Sequence, residues 1–171
     1  MDSPSFWVVR GAALLPSNAR VLDLACGELR HARFLAGCGF AVVAVDRNPR
    51  PVADAFGLKP EKIDYRQTDL ENGSWPLRDE KFDGIVVTNY LHRPLFGHLL
   101  DALQPGGVLI YETFAQGNAA LGRPARPEFL LNPGELLDVF ASRMTVVAYE
   151  HGEVSTPKPA VVQRLLARRP V

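Results

Sequence analysis

Residues 19–46 carry the feature that most constrains the fold. Two apolar runs, ARVLDLA (19–25) and FAVVAVD (40–46), enclose LRHARFLAGCG (29–39), which has apolar residues at 32, 35 and 36 and Gly39 placed to stop a helix. FAVVAVD is apolar almost throughout, as a strand buried on both faces requires. A strand, a helix and a second buried strand in so short a stretch read as one unit of a parallel sheet covered by helices.

The alternation continues along the chain. RPVADAFGL (50–58) suits a short helix ended by Gly57, KIDYRQTDL (62–70) alternates like a strand, and ENGSWPLRDEK (71–81) is rich in turn formers. FDGIVVTNY (82–90) is a strong strand, and RPLFGHLLDAL (93–103) opens with a proline suited to a first helical turn. QPGG is expected to turn the chain into the strand VLIYETF (108–114). Residues 115–132 form a Pro- and Gly-rich stretch longer than ordinary connections, a candidate lid or binding loop. PGELLDVFA (133–141) reads as a helix, and MTVVAYEHGE (144–153) and AVVQRLLARR (160–169) as final strands.

Length and composition bound the rest. A chain of 171 residues suits a single domain, 1–171, that buries roughly 70% of its unfolded surface. Hydrophobic residues make up 47% and charged residues 22%, and every apolar run is far shorter than the ~20 residues of a membrane span. The N-terminus does not read as a signal peptide, so a cytoplasmic location is expected. Cys26 and Cys38 lack the spacing of a disulfide framework or a zinc site; reduced thiols and no metal are expected. The 19 basic and 19 acidic residues leave no global electrostatic footprint for nucleic acid or an anionic membrane. The three arginines of RLLARRP (164–170) read as a solvated strand edge.

In an open parallel sheet, ligands sit beyond the carboxyl ends of the strands, where the first turn meets a helix. Gly27 lies inside that turn, and Asp46 ends the second strand, where an acidic side chain can accept hydrogen bonds from a ribose diol. With VLDLACGEL, VVAVD, TDLENGSWP, DGIVVTNYLHR and LQPGGVLIYETF in this order, the chain resembles the class I S-adenosylmethionine-dependent methyltransferases over most of its length. The tail YETF…GRP…FLL.PGELL looks most like small bacterial enzymes near the tellurite-resistance and thiopurine-type methyltransferases. The resemblance implies a Rossmann-like α/β domain: a mostly parallel seven-stranded sheet, helices on both faces, and an antiparallel C-terminal strand. It also implies S-adenosyl-L-methionine as cofactor and a small-molecule methyl acceptor attacked in line at the sulfonium methyl, with no metal.

In the family's G-x-G-x-G frame the glycine positions are occupied here by Ala25, Gly27 and Leu29. Leu29 is the serious departure: a required positive φ would cost a leucine on the order of 1 kcal/mol or more, whereas helical dihedrals would let its side chain enter the core. By resemblance, Asp23, Ala25, Cys26, Gly27 and Leu29 hold the methionine end of the cofactor and Asp46 the ribose. Arg47 would lie against the adenine, Asp69 and Leu70 at its edge, and Asn89 and Tyr90 beside the methyl, with Tyr90 offering its ring to the sulfonium. His92 is the candidate general base. Tyr111 and Glu112 are expected to face the same crevice, and Arg123 and Arg126 either bind an anionic substrate or are solvated. His31, His98 and His151 are weaker candidates for chemistry. The N-terminal helix within 1–18 either closes over the cofactor through Trp7 or Arg10 or simply lies on the sheet. Two other readings are a non-catalytic protein with a decayed glycine motif, favoured by Leu29, and a nicotinamide-dependent oxidoreductase. Against the oxidoreductase, neither G-x-G-x-x-G nor Tyr-x-x-x-Lys occurs.

Overall fold

The computed structural model describes residues 3–49 and 62–171. The helix expected over 50–58 lies outside the described residues. The described elements are α1 (Phe6–Ala12), β1 (Arg20–Leu24), α2 (Arg30–Gly37), β2 (Ala41–Asp46), β3 (Ile63–Gln67), β4 (Phe82–Thr88), α3 (Phe96–Ala102), β5 (Leu103–Phe114), α4 (Glu135–Phe140), β6 (Thr145–Val154) and β7 (Ala160–Arg168). The seven strands form one sheet in the order β3-β2-β1-β4-β5-β7-β6. β1 to β5 are parallel, and β7 runs antiparallel to both β5 and β6.

Because successive strand residues point to opposite faces, the apolar runs supply two cores. Leu22, Leu24, Ile85 and Val87 meet α3 and α4 on one face; Val21, Val42, Ala44 and Val86 meet α1 and α2 on the other. Helix α1 starts at Ser5, whose side chain caps the Trp7 amide at 3.1 Å. It lies against β5 and β7, where a Cβ on Gly11 would come within 2.6 Å of Ile110 and 2.9 Å of Leu166. Trp7 is fully buried, and its indole N–H donates to the Leu165 carbonyl at 3.2 Å.

Three local expectations change. QPGG does not precede β5 but lies within it: Leu103 pairs with Phe82 and Val108 with Gly84, so the ladder shifts register and the turn residues bulge out of the strand. The helix expected from residue 93 opens as a 3-10 turn, Arg93–Leu95, before α3. The C-terminal arginines are not a solvated edge. Arg164 pairs with Glu112 and Glu150, Arg168 donates to the Leu14 and Gly106 carbonyls, and Arg169 donates to those of Leu100 and Leu103. Among the described residues no helix is long and apolar enough to cross a membrane.

Candidate functional site

The strand order places β1 between β2 and β4, so the chain leaves β1 and β4 in different directions and opens a crevice at their carboxyl ends. β1 must reverse into α2 over five residues. It does so with Ala25, Gly27 and Leu29 all in the left-handed region, at φ 54°, 50° and 63°. The turn is held by the Cys26 amide on the Val45 carbonyl and the Leu29 amide on the Cys26 carbonyl, both at 3.0 Å. Leu29 therefore combines both sequence alternatives. It has the positive φ expected of glycine, yet its side chain is 1% exposed in the core beneath α2 and does not line the crevice.

The crevice has a volume of about 460 Å³. At one end stand Asp46, Arg47, Asn48, Asp69, Leu70 and Glu71. Asp46 is buried, with Oδ2 accepting the Gly27 amide at 2.8 Å and Oδ1 the Asn48 amide at 2.9 Å, so the acid that ends β2 is fixed to the turn that follows β1. Each of its oxygens keeps a lone pair for a further donor. Asp69 accepts the Glu71 amide at 2.9 Å. Ala25, Asn89, Tyr90 and Leu91 form the middle. The Tyr90 carbonyl accepts the Tyr111 hydroxyl at 3.0 Å, and the Tyr90 hydroxyl donates to Glu71 at 3.3 Å. Burial and the Glu71 charge push the Tyr90 phenol well above its ordinary range.

Asp23, Cys26 and Gly27 do not line the crevice; they lie in and beneath the turn. Asp23 is 1% exposed and neither carboxylate oxygen has a hydrogen-bond partner, a costly arrangement for a buried acid. Burial pushes its carboxyl up to about 7, against the pull of the nearby Ala32 amide and the Arg30 charge. An orphaned acid just below Ala25 fits a ligand with a cationic group at this end of the turn. Burial also pushes the Cys26 thiol far up, which leaves it unreactive.

The far end of the crevice is built by Thr113 and Phe114 at the end of β5 and by Pro124 and Phe129 from the loop 115–132. Arg93 holds that loop. Its guanidinium grips Glu135 through two bonds of 2.6 and 2.9 Å, and donates to the carbonyls of Glu128 at 3.1 Å and Leu130 at 3.0 Å, on either side of Phe129. Buried Asn118 holds Pro124 in the same way, donating to its carbonyl at 2.9 Å while accepting the Val161 amide at 3.0 Å. Neither Arg93 nor Asn118 was singled out in the sequence, because their partners are recruited from distant segments.

Tyr111 and Glu112 do not face the crevice. Tyr111 is buried in an aromatic cluster with Phe96 and Phe140, and Glu112 takes the Ser5 hydroxyl at 2.7 Å and the Arg164 guanidinium. His92 is half-buried, begins the 3-10 turn and does not line the crevice. Arg123 and Arg126 are exposed and stand off the crevice, His98 stacks on Trp75 at 5.3 Å, and His151 is exposed. Helix α1 contributes no wall, and Arg10 lies over the Trp7 ring at 5.1 Å. His31 is buried between Ser5 and Thr88. Because the Ser5 amide can only donate, to Nε2 at 3.2 Å, the ring proton sits on Nδ1, directed at the Thr88 hydroxyl 3.2 Å away.

A family model described as a methyltransferase domain matches residues 21–107, which hold the turn, both strand-end acids and β4. The tRNA U34 carboxymethyltransferase of Methylococcus capsulatus is 30% identical over an alignment of 128 residues that covers 70% of this chain. The chain spans 39% of that protein's length. Among solved structures, TehB from Haemophilus influenzae superposes with a TM-score of 0.78 at 20% identity, covering 99% of this chain and 63% of that one. A Burkholderia thailandensis 1,6-didemethyltoxoflavin-N1-methyltransferase, solved with 1,6-didemethyltoxoflavin and S-adenosylhomocysteine bound, superposes at 0.65 and 22% identity over 97% and 79% of the two chains. Both superpositions cover nearly the whole of this chain, whose seven-stranded sheet carries the antiparallel β7.

Proposed function

Since the chain belongs to the methyltransferase domain family, we propose that it is an S-adenosylmethionine-dependent methyltransferase acting in the cytoplasm on a small-molecule acceptor. The observation that carries the reading is Asp46: a buried carboxylate, tied by both oxygens to backbone amides, at the head of a crevice between β1 and β4. Asp46 would take the ribose diol, Asp69 and Leu70 the adenine edge, and Arg47 its face. The turn from Ala25 to Leu29 would take the methionine end, with Asp23 beneath it offering a charge partner for the α-ammonium. Asn89 and Tyr90 would border the reacting methyl.

When bound, the cofactor supplies a methyl group on a sulfonium already activated for displacement. The protein's part is to align donor and acceptor and to exclude water, which oriented walls accomplish without a reactive side chain. The Tyr90 ring offers a π face to positive charge, and its hydroxyl is spent on Glu71. His92, off the crevice wall, is not assigned the base role proposed for it from sequence. Balanced net charge and three carboxylates on the crevice wall favour a small acceptor over a polyanion. The reading predicts that S-adenosylhomocysteine binds in calorimetric titration and NAD does not, and that Asp46→Ala weakens that binding at least tenfold, as expected from losing ~1.5–3 kcal/mol of charged hydrogen bonding. No binding of the sulfur ligand at millimolar concentration would overturn it.

A further inference from the structure

The two ends of the crevice differ in chemistry. The ionisable side chains on its described wall, Asp46, Arg47, Asp69, Glu71 and Tyr90, lie at or adjoin the end assigned to the nucleoside. At the other end stand Thr113, Phe114, Pro124 and Phe129, with no ionisable group among them. Phe129 is 45% exposed although Arg93 fixes the backbone on both sides of it. Neither Phe114 nor Phe129 joins the ring pairs that Phe96, Tyr111 and Phe140 form in the core. Aromatic side chains on the crevice wall that pair with no other ring among the described residues suit a flat guest.

Charge and proton transfer narrow the guest further. Among the described residues, the one cation on the wall is Arg47 at the nucleoside end; Arg93 is committed to Glu135, and Arg123 and Arg126 stand off the wall. A carboxylate or phosphate acceptor would thus meet no cation among the described residues of that end and would lose hydration with little compensation. The three carboxylates of the described wall, Asp46, Asp69 and Glu71, stand at the nucleoside end, and Thr113, Phe114, Pro124 and Phe129 at the other end include no carboxylate or imidazole. An aliphatic hydroxyl at that end would find no base among the described residues to take its proton during attack.

We propose, resting on the methyl-transfer reading above, that the acceptor is an uncharged, flat aromatic or heteroaromatic compound methylated on a nitrogen or thioether sulfur whose lone pair is available without deprotonation. In that step the acceptor's lone pair forms the new bond to carbon and the carbon–sulfur bond breaks with its electron pair passing to the cofactor sulfur. The single positive charge moves from sulfur to the product. Where the methylated nitrogen carries hydrogen, the proton is lost to water after transfer.

The test uses the full chain saturated with S-adenosylhomocysteine at pH 8 and titrated calorimetrically with isoquinoline, thioanisole and isoquinoline-3-carboxylate. We expect the two neutral probes to bind and the carboxylate to bind at least tenfold more weakly. Phe129→Ala should weaken the neutral probes at least fivefold while shifting the S-adenosylhomocysteine dissociation constant less than twofold, and Phe129→Trp should restore them. With a methyl-labelled donor, label should appear on isoquinoline nitrogen and not on benzyl alcohol. Carboxylate binding as tight as neutral binding, indifference to Phe129→Ala, or comparable labelling of the alcohol would overturn the acceptor assignment and leave the cofactor reading standing. Failure of S-adenosylhomocysteine itself to bind would overturn both.

Discussion

Leu29 shows how one residue can meet two demands that pull in opposite directions. Its left-handed backbone, φ 63° and ψ 21°, lets β1 turn directly into α2, and costs an L residue roughly 1–2 kcal/mol. Its side chain is sealed against Ala32 and Leu35, where truncation of a leucine costs about 2–5 kcal/mol. The second effect is the larger, so restoring the family's glycine should not improve the protein. Leu29→Gly should lower stability by roughly 2 kcal/mol, since the strain relieved is smaller than the burial lost. Leu29→Ala loses the same burial and keeps the strain, so it should fall about 1 kcal/mol below the glycine variant, reversing the usual helix order of the two residues. Urea denaturation of the three proteins tests the ranking; an alanine variant as stable as the glycine one would mean that no left-handed cost exists at position 29. Both variants should bind S-adenosylhomocysteine within threefold of wild type, because the side chain is not a crevice wall.

At the scale of elements, Arg93 joins pieces that local sequence keeps apart. It opens the 3-10 turn after β4, yet its four hydrogen bonds run to the loop after β5 and to the first turn of α4. The loop's own bonding is sparse near Phe129, where the amides of Phe129 and Leu130 close only 3-10 contacts to Arg126 and Pro127. Arg93→Gln keeps a donor near the position of Nε but removes the fork that spans both carbonyls and both Glu135 oxygens. Since the pair is partly exposed, the stability loss should be modest, about 1 kcal/mol. The local effect should be larger: hydrogen exchange at Phe129 and Leu130 should accelerate at least tenfold, with β1 and β4 amides unchanged. Unaltered exchange in that loop would show that Pro124 and Asn118 hold it without Arg93.

Over the whole molecule, what the sequence discloses is what is periodic or local. β1, β2 and β4 are legible because strands buried on both faces are nearly continuous apolar runs, and Asp46 is legible because it ends such a run. Contacts across the chain leave no local trace. Tyr111 and Glu112 miss the crevice because β5 continues two residues further before its side chains reach it, and His31 shows nothing in sequence of partners 26 and 57 residues away. Asp23 and His31 are both buried acid–base groups on the α2 side of the sheet, and together they shape how the fold responds to pH. Native Asp23, pushed up to about 7 by burial, keeps its proton where the unfolded chain, near 3.8, has lost it, so its contribution falls as pH rises from about 4 to 7. Native His31, held down to about 4 by burial and the Arg30 charge, stays neutral where the unfolded ring, near 6.5, is protonated, so its contribution rises over pH 4 to 6.5. Each slope reaches at most about 1.4 kcal/mol per pH unit, and between pH 4 and 6.5 the two oppose one another. Wild type should therefore lose less stability on acidification over that range than Asp23→Asn, which retains only the histidine slope. His31→Gln should instead gain stability relative to wild type as pH falls from 6.5 to 4.5. The depressed carboxyls of Glu80 and Glu135 are common to all three proteins and cancel in the differences. Urea midpoints at pH 4.5, 5.5, 6.5 and 7.5 measure these differences. If the two variants diverge from wild type in the same direction, one of the two burials does not hold its group in the neutral form.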